Sequence, residues 1–174
     1  MTGQVYIVRE AKESEYDTLG ELMVNVYSNL EGFFSKDEHP AYFEKLANVG
    51  ELTSHNRTKL LVAVSPSGQI AGAVVYIGDM KHYGSASTVN HKKDTSGFRL
   101  LAVDPAIRGK GIGKLLSNAC IKLARAEHQR EMVIHSTNAM KIAWAMYERM
   151  GFVRSEDLDF SKDAFPVFGF RLKL

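Results

Sequence analysis

The decisive stretch of this sequence reads Leu100-Leu-Ala-Val-Asp-Pro-Ala-Ile-Arg-Gly-Lys-Gly-Ile-Gly-Lys-Leu-Leu116. Its apolar start ends at Asp104-Pro105, which indicates a buried strand followed by a turn. Three alternating glycines then open a helical pattern: Gly109, Gly111 and Gly113. Glycine lets the backbone approach a ligand closely, and a helix N-terminus presents unpaired N–H groups to an anion. The stretch therefore predicts a phosphate-binding turn, surrounded by the positive charges of Arg108, Lys110 and Lys114.

Two common phosphate-binding motifs fail at the residue level. The nucleotide P-loop needs Gly, four residues, then Gly-Lys and a hydroxyl side chain. Here Arg108 occupies the position of the first Gly, and Leu115 that of the hydroxyl. The dinucleotide fingerprint Gly-x-Gly-x-x-Gly fails at its last Gly. This position is Lys114 when the motif starts at Gly109, and Leu116 when it starts at Gly111. Neither a P-loop nor a dinucleotide fold is predicted.

Strand and helix patterns continue on both sides of this stretch. Short β-rich or apolar runs predict strands at 5–9, 59–64, 69–77, 98–103, 131–135, 152–160 and 167–174. Apolar spacing of three and four residues predicts helices at 14–29, 41–49, 111–127 and 139–150. The polar segment 78–96 is longer than a usual connection, which makes it a candidate binding loop. The pattern predicts an α/β sheet with helices on both faces, within a single domain spanning residues 1–174.

Composition excludes several function classes. The formal net charge is only +2, which argues against a nucleic-acid coat protein, because such binding needs a basic face. No apolar run approaches the ~20 residues that cross a bilayer, and the first residues lack a signal-peptide pattern. The single cysteine, Cys120, excludes an internal disulfide and a closed Cys-rich metal site. We expect a cytoplasmic protein without a metal, a nucleic-acid partner or a membrane partner.

Two motifs carry a resemblance to a known family. The pattern Arg108-x-x-Gly111-x-Gly113 after Leu-Ala-Val-Asp-Pro resembles the pyrophosphate-binding motif of the GCN5-related N-acetyltransferases (GNAT). The pattern Ala143-x-x-x-Tyr147-x-x-x-Gly151-Phe152 resembles the second motif of that family. The resemblance covers about residues 97–153. It implies an α/β (α+β) fold whose mixed, mostly antiparallel central sheet has a splayed middle, and an acyltransferase that uses acetyl-coenzyme A.

The resemblance also assigns roles to individual residues. It implies that the backbone of Leu101, Ala102 and Val103 pairs with the pantetheine arm and that an N–H there polarises the thioester carbonyl. The implied pyrophosphate site comprises Arg108, Gly109, Lys110, Gly111, Ile112, Gly113 and Lys114. Tyr147 would protonate the departing thiolate as general acid. Many family members carry Asn seven residues before this Tyr, where this sequence has Met140, and Asn138 is interpreted as a helix N-cap.

The general base is left open between several groups. An amine arrives as ammonium and must lose a proton before it attacks the acetyl group. The strand before the glycines offers Arg99 and no carboxylate, unlike the histone-acetylating members of the family. His135 is a candidate base, acting directly or through water, and a water chain without a dedicated residue is an equal alternative. Three further residues lie in segments that could border the acceptor: Glu31, His91 and Asp94.

The acceptor and the assembly are also left open. A small amine, an amino acid and a peptide N-terminus all fit the sequence. A catalytically silent coenzyme A sensor is the alternative function, and loss of turnover on replacing Tyr147 by Phe would favour the enzyme. A homodimer through the last strands, 152–160 and 167–174, is possible. Cys120 lies on an apolar helix face and is predicted to be inert core.

Overall fold

The computed structural model describes residues 5–84 and 88–174. Its strands are β1 (Ile7–Glu10), β2 (Thr58–Val64), β3 (Ile70–Ile77), β4 (Thr95–Val103), β5 (Glu131–Ser136), β6 (Val153–Arg154), β7 (Phe160–Lys162) and β8 (Phe165–Lys173). Its α-helices are α1 (Tyr16–Ser28), α2 (Pro40–Ala47), α3 (Ile112–Ala126) and α4 (Lys141–Arg149). No helix within these ranges has the length and apolar character needed to span a membrane.

The strands form a mixed sheet in the order β1-β2-β3-β4-β5-β8-β6, with β7 paired to β8. Among the described strands, β4 and β5 are parallel and the other neighbours are antiparallel. The first three strands follow each other along the chain, which suits antiparallel pairing, whereas α3 connects the parallel pair. The predicted mixed, mostly antiparallel sheet is confirmed.

Each face of the sheet has its own apolar core. One core contains Leu19 and Met23 of α1 and Phe43 of α2, packed on alternate residues of β2, β3 and β4. The other contains Leu116 of α3 and Tyr147 of α4, packed on the opposite residues of the same strands. Strand side chains alternate between faces, so a sheet covered on both sides reads as nearly continuous apolar runs. The predicted helices on both faces are confirmed.

The sheet splays apart between β4 and β5. These strands pair only at Thr95–Glu131, Ser96–Met132 and Gly97–Val133, near the start of each strand. Beyond Gly97, β4 continues to pair with β3, while β5 pairs with β8 along its whole length. Each strand therefore follows a different half of the sheet, and a gap opens beside the C-terminal half of β4.

The predicted strand 152–160 is wrong, because two short strands replace it. A 3-10 turn (Glu156–Leu158) separates β6 from β7. Two side chains form hydrogen bonds with the main chain of β8 here. Asp159 Oδ1 accepts from the Gly169 N–H (2.7 Å), and Arg154 Nη1 donates to the Gly169 carbonyl (2.6 Å). The chain crosses so close to β8 that a Cβ at Gly169 would lie 2.3 Å from Leu158 Cβ.

The predicted loop 78–96 is shorter and more structured than expected. It contains a 3-10 turn (Met80–His82) followed by the buried side chain of Tyr83, and β4 already begins at Thr95. Residues 85–87 of this loop lie outside the described residues. The polar composition of the segment gave no indication that Tyr83 is buried against the sheet.

Candidate functional site

A β-bulge interrupts β4 beside the gap. Val75 pairs with Arg99 and Ala73 with Ala102, so Leu100 and Leu101 together face a single residue of β3. Leu100 has a φ of +55°, in the left-handed region that a branched apolar residue rarely adopts. The surrounding core holds it there, since the Leu100 side chain is only 8% exposed. Bulges redirect a strand and its side chains, and this one lies where β4 leaves β5.

The far edge of β4 is open beyond the bulge. The Asp104 N–H donates to the Ala71 carbonyl (2.8 Å) and Ala102 pairs with Ala73, so these residues face β3. Successive residues of a strand point their main-chain groups to opposite sides, so Leu101 and Val103 direct theirs into the gap. The Leu101 carbonyl accepts a hydrogen bond from the Tyr27 hydroxyl (3.2 Å). This edge can pair with an extended ligand, as the prediction for residues 101–103 requires.

A cavity of about 180 Å³ lies at the mouth of the gap. Helices α1, α2 and α4, the bulge, and strands β7 and β8 all contribute to its walls. Most of the wall is aromatic or aliphatic, including Tyr27, Phe33, Phe34, Tyr42 and Phe165. Besides the hydroxyls of Tyr27 and Tyr42, its polar side chains are Tyr83, Arg99, His135, Ser136, Thr137, Tyr147 and Lys162. None of the described lining residues is Asp or Glu.

The glycine-rich turn follows β4 after a 3-10 turn, Pro105–Ile107. Gly109 and Gly111 have φ values of +83° and +78°, and Gly111 forms the N-cap of α3. A Cβ at either position would meet no atom within 4 Å, so open space faces the turn. Around it, three exposed cations form no ion pair with any described residue: Arg108, Lys110 and Lys114. Unpaired cations and a free helix N-terminus suit a polyanionic group such as a pyrophosphate.

Tyr147 lines the cavity from α4. Its ring packs edge-on against Phe98 and Phe152, and the residue is 6% exposed. Burial raises the pKa of the Tyr147 phenol, with smaller contributions from Tyr83 and Cys120. The hydroxyl forms no hydrogen bond with a described residue. A phenol is protonated at neutral pH with or without this shift, so Tyr147 carries a proton at the cavity wall.

His135 lies across the gap from the bulge, and both of its ring nitrogens are already bonded. Nε2 lies 2.8 Å from the Leu158 carbonyl, which can only accept, so Nε2 carries the proton. Nδ1, 3.0 Å from the Tyr83 hydroxyl, then accepts the Tyr83 proton. Burial lowers the His135 pKa and keeps the ring neutral, although the Leu158 bond acts in the opposite direction. A direct contact between His135 and an amine would need one of these bonds to break.

Other residues considered from the sequence lie elsewhere. Glu31 and His91 are exposed and do not line the cavity, and Asp94 lies before β4, at the opposite end of the strand from the bulge. The prediction that Asn138 caps its helix is wrong, because a 3-10 turn precedes α4 and Met140 becomes its N-cap. Asn138 itself is exposed, and Met140 lines the cavity. Cys120 is buried, and burial raises the pKa of its thiol.

Three side chains of the site had no assigned role from the sequence. Tyr27, Tyr83 and Arg99 line the cavity together, although 74 residues separate Tyr27 from Leu101. Tyr27 lies within an apolar helical pattern that any core residue would satisfy. No local signal distinguishes these residues, because only the tertiary fold brings α1 and the loop after β3 to the bulge.

The comparisons with known proteins agree with this arrangement. The model of the acetyltransferase (GNAT) family matches residues 23–152. A GNAT-family acetyltransferase from Staphylococcus aureus Mu50 has a similar structure, with a TM-score of 0.74, 17% identity and coverage of 98% of this chain and 99% of that one. No protein with a curated description matches the sequence.

Two further similar structures were determined with a ligand. The PaiA N-acetyltransferase from Thermoplasma acidophilum, in complex with coenzyme A, has a TM-score of 0.74 and 15% identity, covering 98% of this chain and 99% of that chain. YncA from Salmonella typhimurium, with acetyl-coenzyme A, has a TM-score of 0.65 and 18% identity, covering 98% and 94%. At these identities the structural likeness establishes the fold.

Proposed function

We propose that this chain, which belongs to the acetyltransferase (GNAT) family, transfers the acetyl group of acetyl-coenzyme A to a small-molecule amine in the cavity. The observation that carries this proposal is the open edge of β4. It runs from the bulge, beside the cavity, to Val103, and a 3-10 turn (Pro105–Ile107) connects it to the glycine-rich turn at the N-terminus of α3. A ligand with an extended arm and a pyrophosphate matches both ends of this path.

The residues of this path suit acetyl-coenzyme A. Leu101 and Val103 would pair with the pantetheine arm through the main chain, with Ala102 between them facing β3. The amides of residues 109–114 would bind the pyrophosphate, assisted by Arg108, Lys110 and Lys114. When bound, acetyl-coenzyme A supplies the thioester carbonyl that the amine attacks and the thiolate that leaves.

Two features of the chain would lower the barrier for direct attack. A main-chain N–H freed at the bulge would donate to the carbonyl oxygen as negative charge develops there. Tyr147 would donate its proton to the departing sulfur, which its place on the cavity wall supports. Holding both substrates in one cavity would supply much of the remaining rate enhancement.

Tyr83 and His135 form a route for the ammonium proton. The Tyr83 hydroxyl donates to His135 Nδ1, so its oxygen lone pairs are free to accept a proton from the amine. Passing the Tyr83 proton on to Nδ1 would leave a charged imidazole bonded to the Leu158 carbonyl. His135 would then be the base and Tyr83 the group that touches the amine.

Calorimetric titration with acetyl-coenzyme A tests the cosubstrate site. The variant Gly111→Asp adds a negative charge at the helix N-terminus, and Gly111→Asn is its matched neutral control. Asp and Asn both tolerate a positive φ better than most residues, so the two variants place similar backbone strain at position 111. We expect micromolar binding by the unmodified chain and about 10-fold weaker binding by the Asp variant than by the Asn variant, equivalent to about 1.4 kcal/mol.

The same titration with ATP provides the specificity control. Binding of acetyl-coenzyme A with equal affinity by the Asp and Asn variants would remove the glycine-rich turn from the proposal. Absence of binding by the unmodified chain would refute the cosubstrate itself. Release of free coenzyme A thiol on adding amines then measures transfer.

A further inference from the structure

The charges that face the cavity are positive and have no carboxylate partner within the chain. Arg99 and Lys162 line the cavity, and His135 is held neutral. Neither Arg99 nor Lys162 forms an ion pair with any described residue. Residues 1–4 and 85–87, which lie outside the described ranges, contain no Asp or Glu. A partly buried guanidinium without a carboxylate is a feature that a ligand anion would complete.

The local structure holds the Arg99 guanidinium in place. Nη1 donates to the Tyr83 carbonyl (2.6 Å), and the guanidinium carbon lies 5.6 Å from the centre of the Tyr83 ring. A Cβ at Gly84 would lie 2.3 Å from the same Nη1, so a larger residue there would displace the guanidinium. Arg99 directly precedes the bulge at Leu100, and its side chain lines the cavity beside the bulge.

A second cleft, with a volume of about 260 Å³, extends the positive region behind Arg99. It shares Gly84, Arg99 and Leu100 with the cavity. Its other basic side chains are Lys45, His55, Lys81 and His82, of which Lys81 forms an ion pair with Asp79 (3.6 Å). No Asp or Glu lines it among the described residues. The pKa of Lys45 is lowered, first by burial and then by the charges of Arg99 and Lys162. Lys45 therefore lies close enough to Arg99 and Lys162 to be repelled by both, and an anion would relieve that repulsion.

The opposite wall of the cavity is aromatic. Phe33, Phe34 and Phe165 are in mutual ring contact at centroid distances of 4.0–5.8 Å. Tyr42 joins this cluster, and Lys162 Nζ lies 5.3 Å from the centre of its ring. Such a wall suits an apolar or aromatic group and offers no carboxylate for a second ammonium.

We propose that the acceptor is a small primary amine carrying a carboxylate and an apolar side chain, and that Arg99 binds the carboxylate while the aromatic wall holds the side chain. This inference rests on the proposed acetyl transfer. It excludes polyamines and other multiply cationic acceptors, because Arg99 and Lys162 would repel their second charge.

The test compares acids with amines that differ from them only by the carboxylate. L-phenylalanine is compared with 2-phenylethylamine, and L-leucine with 3-methylbutylamine, by kcat/KM for coenzyme A release. We expect each acid to be preferred and the preference to fall in Arg99→Met by about 10- to 100-fold, the contribution of a hydrogen bond to a charged group. Arg99→Lys keeps the charge and should retain part of the preference. Arg125→Met, an exposed arginine outside both clefts, is the control for net charge.

A binding measurement separates this inference from the proposed function. Calorimetric titration with 3-phenylpropionate, which has the carboxylate and ring but no amine, needs no turnover. We expect binding to the unmodified chain and to Arg125→Met, and loss of binding in Arg99→Met. Lys162→Met, expected to weaken binding less, replaces Arg99→Met if thermal melting shows that the latter is unfolded.

The outcomes are distinct. Coenzyme A release with the amines that lack a carboxylate, at rates that equal or exceed those of the acids, would leave the acetyltransferase intact and overturn the acceptor class. Equal binding of 3-phenylpropionate by Arg99→Met would also overturn it. No coenzyme A release with any of the four amines, combined with Arg99-dependent binding of 3-phenylpropionate, would refute the transfer reaction and retain the anion site.

Discussion

Replacing Tyr147 by Phe removes a single oxygen from the cavity wall. The ring contacts with Phe98 and Phe152 involve only carbon atoms of the ring and remain possible in the variant. The hydroxyl has no hydrogen-bond partner among the described residues, so no partner is left unsatisfied by its removal. We therefore expect the free energy of unfolding to change by less than about 1 kcal/mol. We also expect the affinity for acetyl-coenzyme A to be unaffected, because the phenol does not belong to the β4 edge or the glycine-rich turn.

The effect on turnover should be far larger. A general acid contributes about 10²- to 10⁴-fold to a rate, which corresponds to about 3–5 kcal/mol in the barrier. In the unmodified chain, burial raises the Tyr147 pKa, so the phenol is protonated throughout the neutral range. The variant should consequently show a uniformly lower kcat between pH 6 and 8, because the lost proton donor does not titrate there.

Three measurements on the same preparation check this prediction. Thermal melting reports stability, calorimetry reports acetyl-coenzyme A affinity, and coenzyme A release reports kcat with a fixed amine. A Tyr147→Phe kcat within about threefold of the unmodified value would refute the general-acid role, since that is far below the smallest factor expected. Turnover that is absent from both proteins, with cofactor binding intact in both, would favour the catalytically silent sensor.

Two further predictions concern proton balance. Titration of His135, whose pKa lies below the ordinary histidine value of about 6.5, should give kcat/KM an inflection on the acid side. Tyr83→Phe should abolish this inflection, because the variant cannot relay a proton to His135 Nδ1. A pH profile of the variant that keeps the inflection would exclude the relay. The bidentate hydrogen bond from Arg9 lowers the Glu15 pKa to about 2. Ionised Glu15 therefore contributes about 1 kcal/mol of stability after solvent screening above pH 4.5, and this contribution is lost as the pH falls towards 2. Glu15→Gln should accordingly reduce the loss of stability in acid that urea unfolding measures. An unchanged acid limb in Glu15→Gln would show that the other carboxylates of lowered pKa, such as Asp157 and Asp159, determine it.

The site could be predicted only in part, for reasons that differ between residues. The glycine-rich turn is local: Gly109 and Gly111 must adopt positive φ, and the residues that need this freedom are adjacent in sequence. Tyr147 is found through the resemblance of Ala143-x-x-x-Tyr147-x-x-x-Gly151-Phe152 to a family motif. The sequence shows Arg99 on a strand where histone-acetylating members of the family carry a carboxylate. The surroundings of Arg99 depend on Gly84, Lys45 and Lys162, which come from three other segments of the chain.

Sequence by itself determined most of the elements, their order and the glycine-rich turn, because periodicity, glycine placement and helix starts depend on neighbours within a few residues. Tertiary structure alone decided the bulge at Leu100, the side-chain bonding that breaks the strand after β6, and the state of His135. These features arise from contacts between distant segments, such as Tyr27 with Leu101 and His135 with Leu158. A leucine is forced to a positive φ only when a core packed on both faces compensates for the strain, and no local pattern records that compensation.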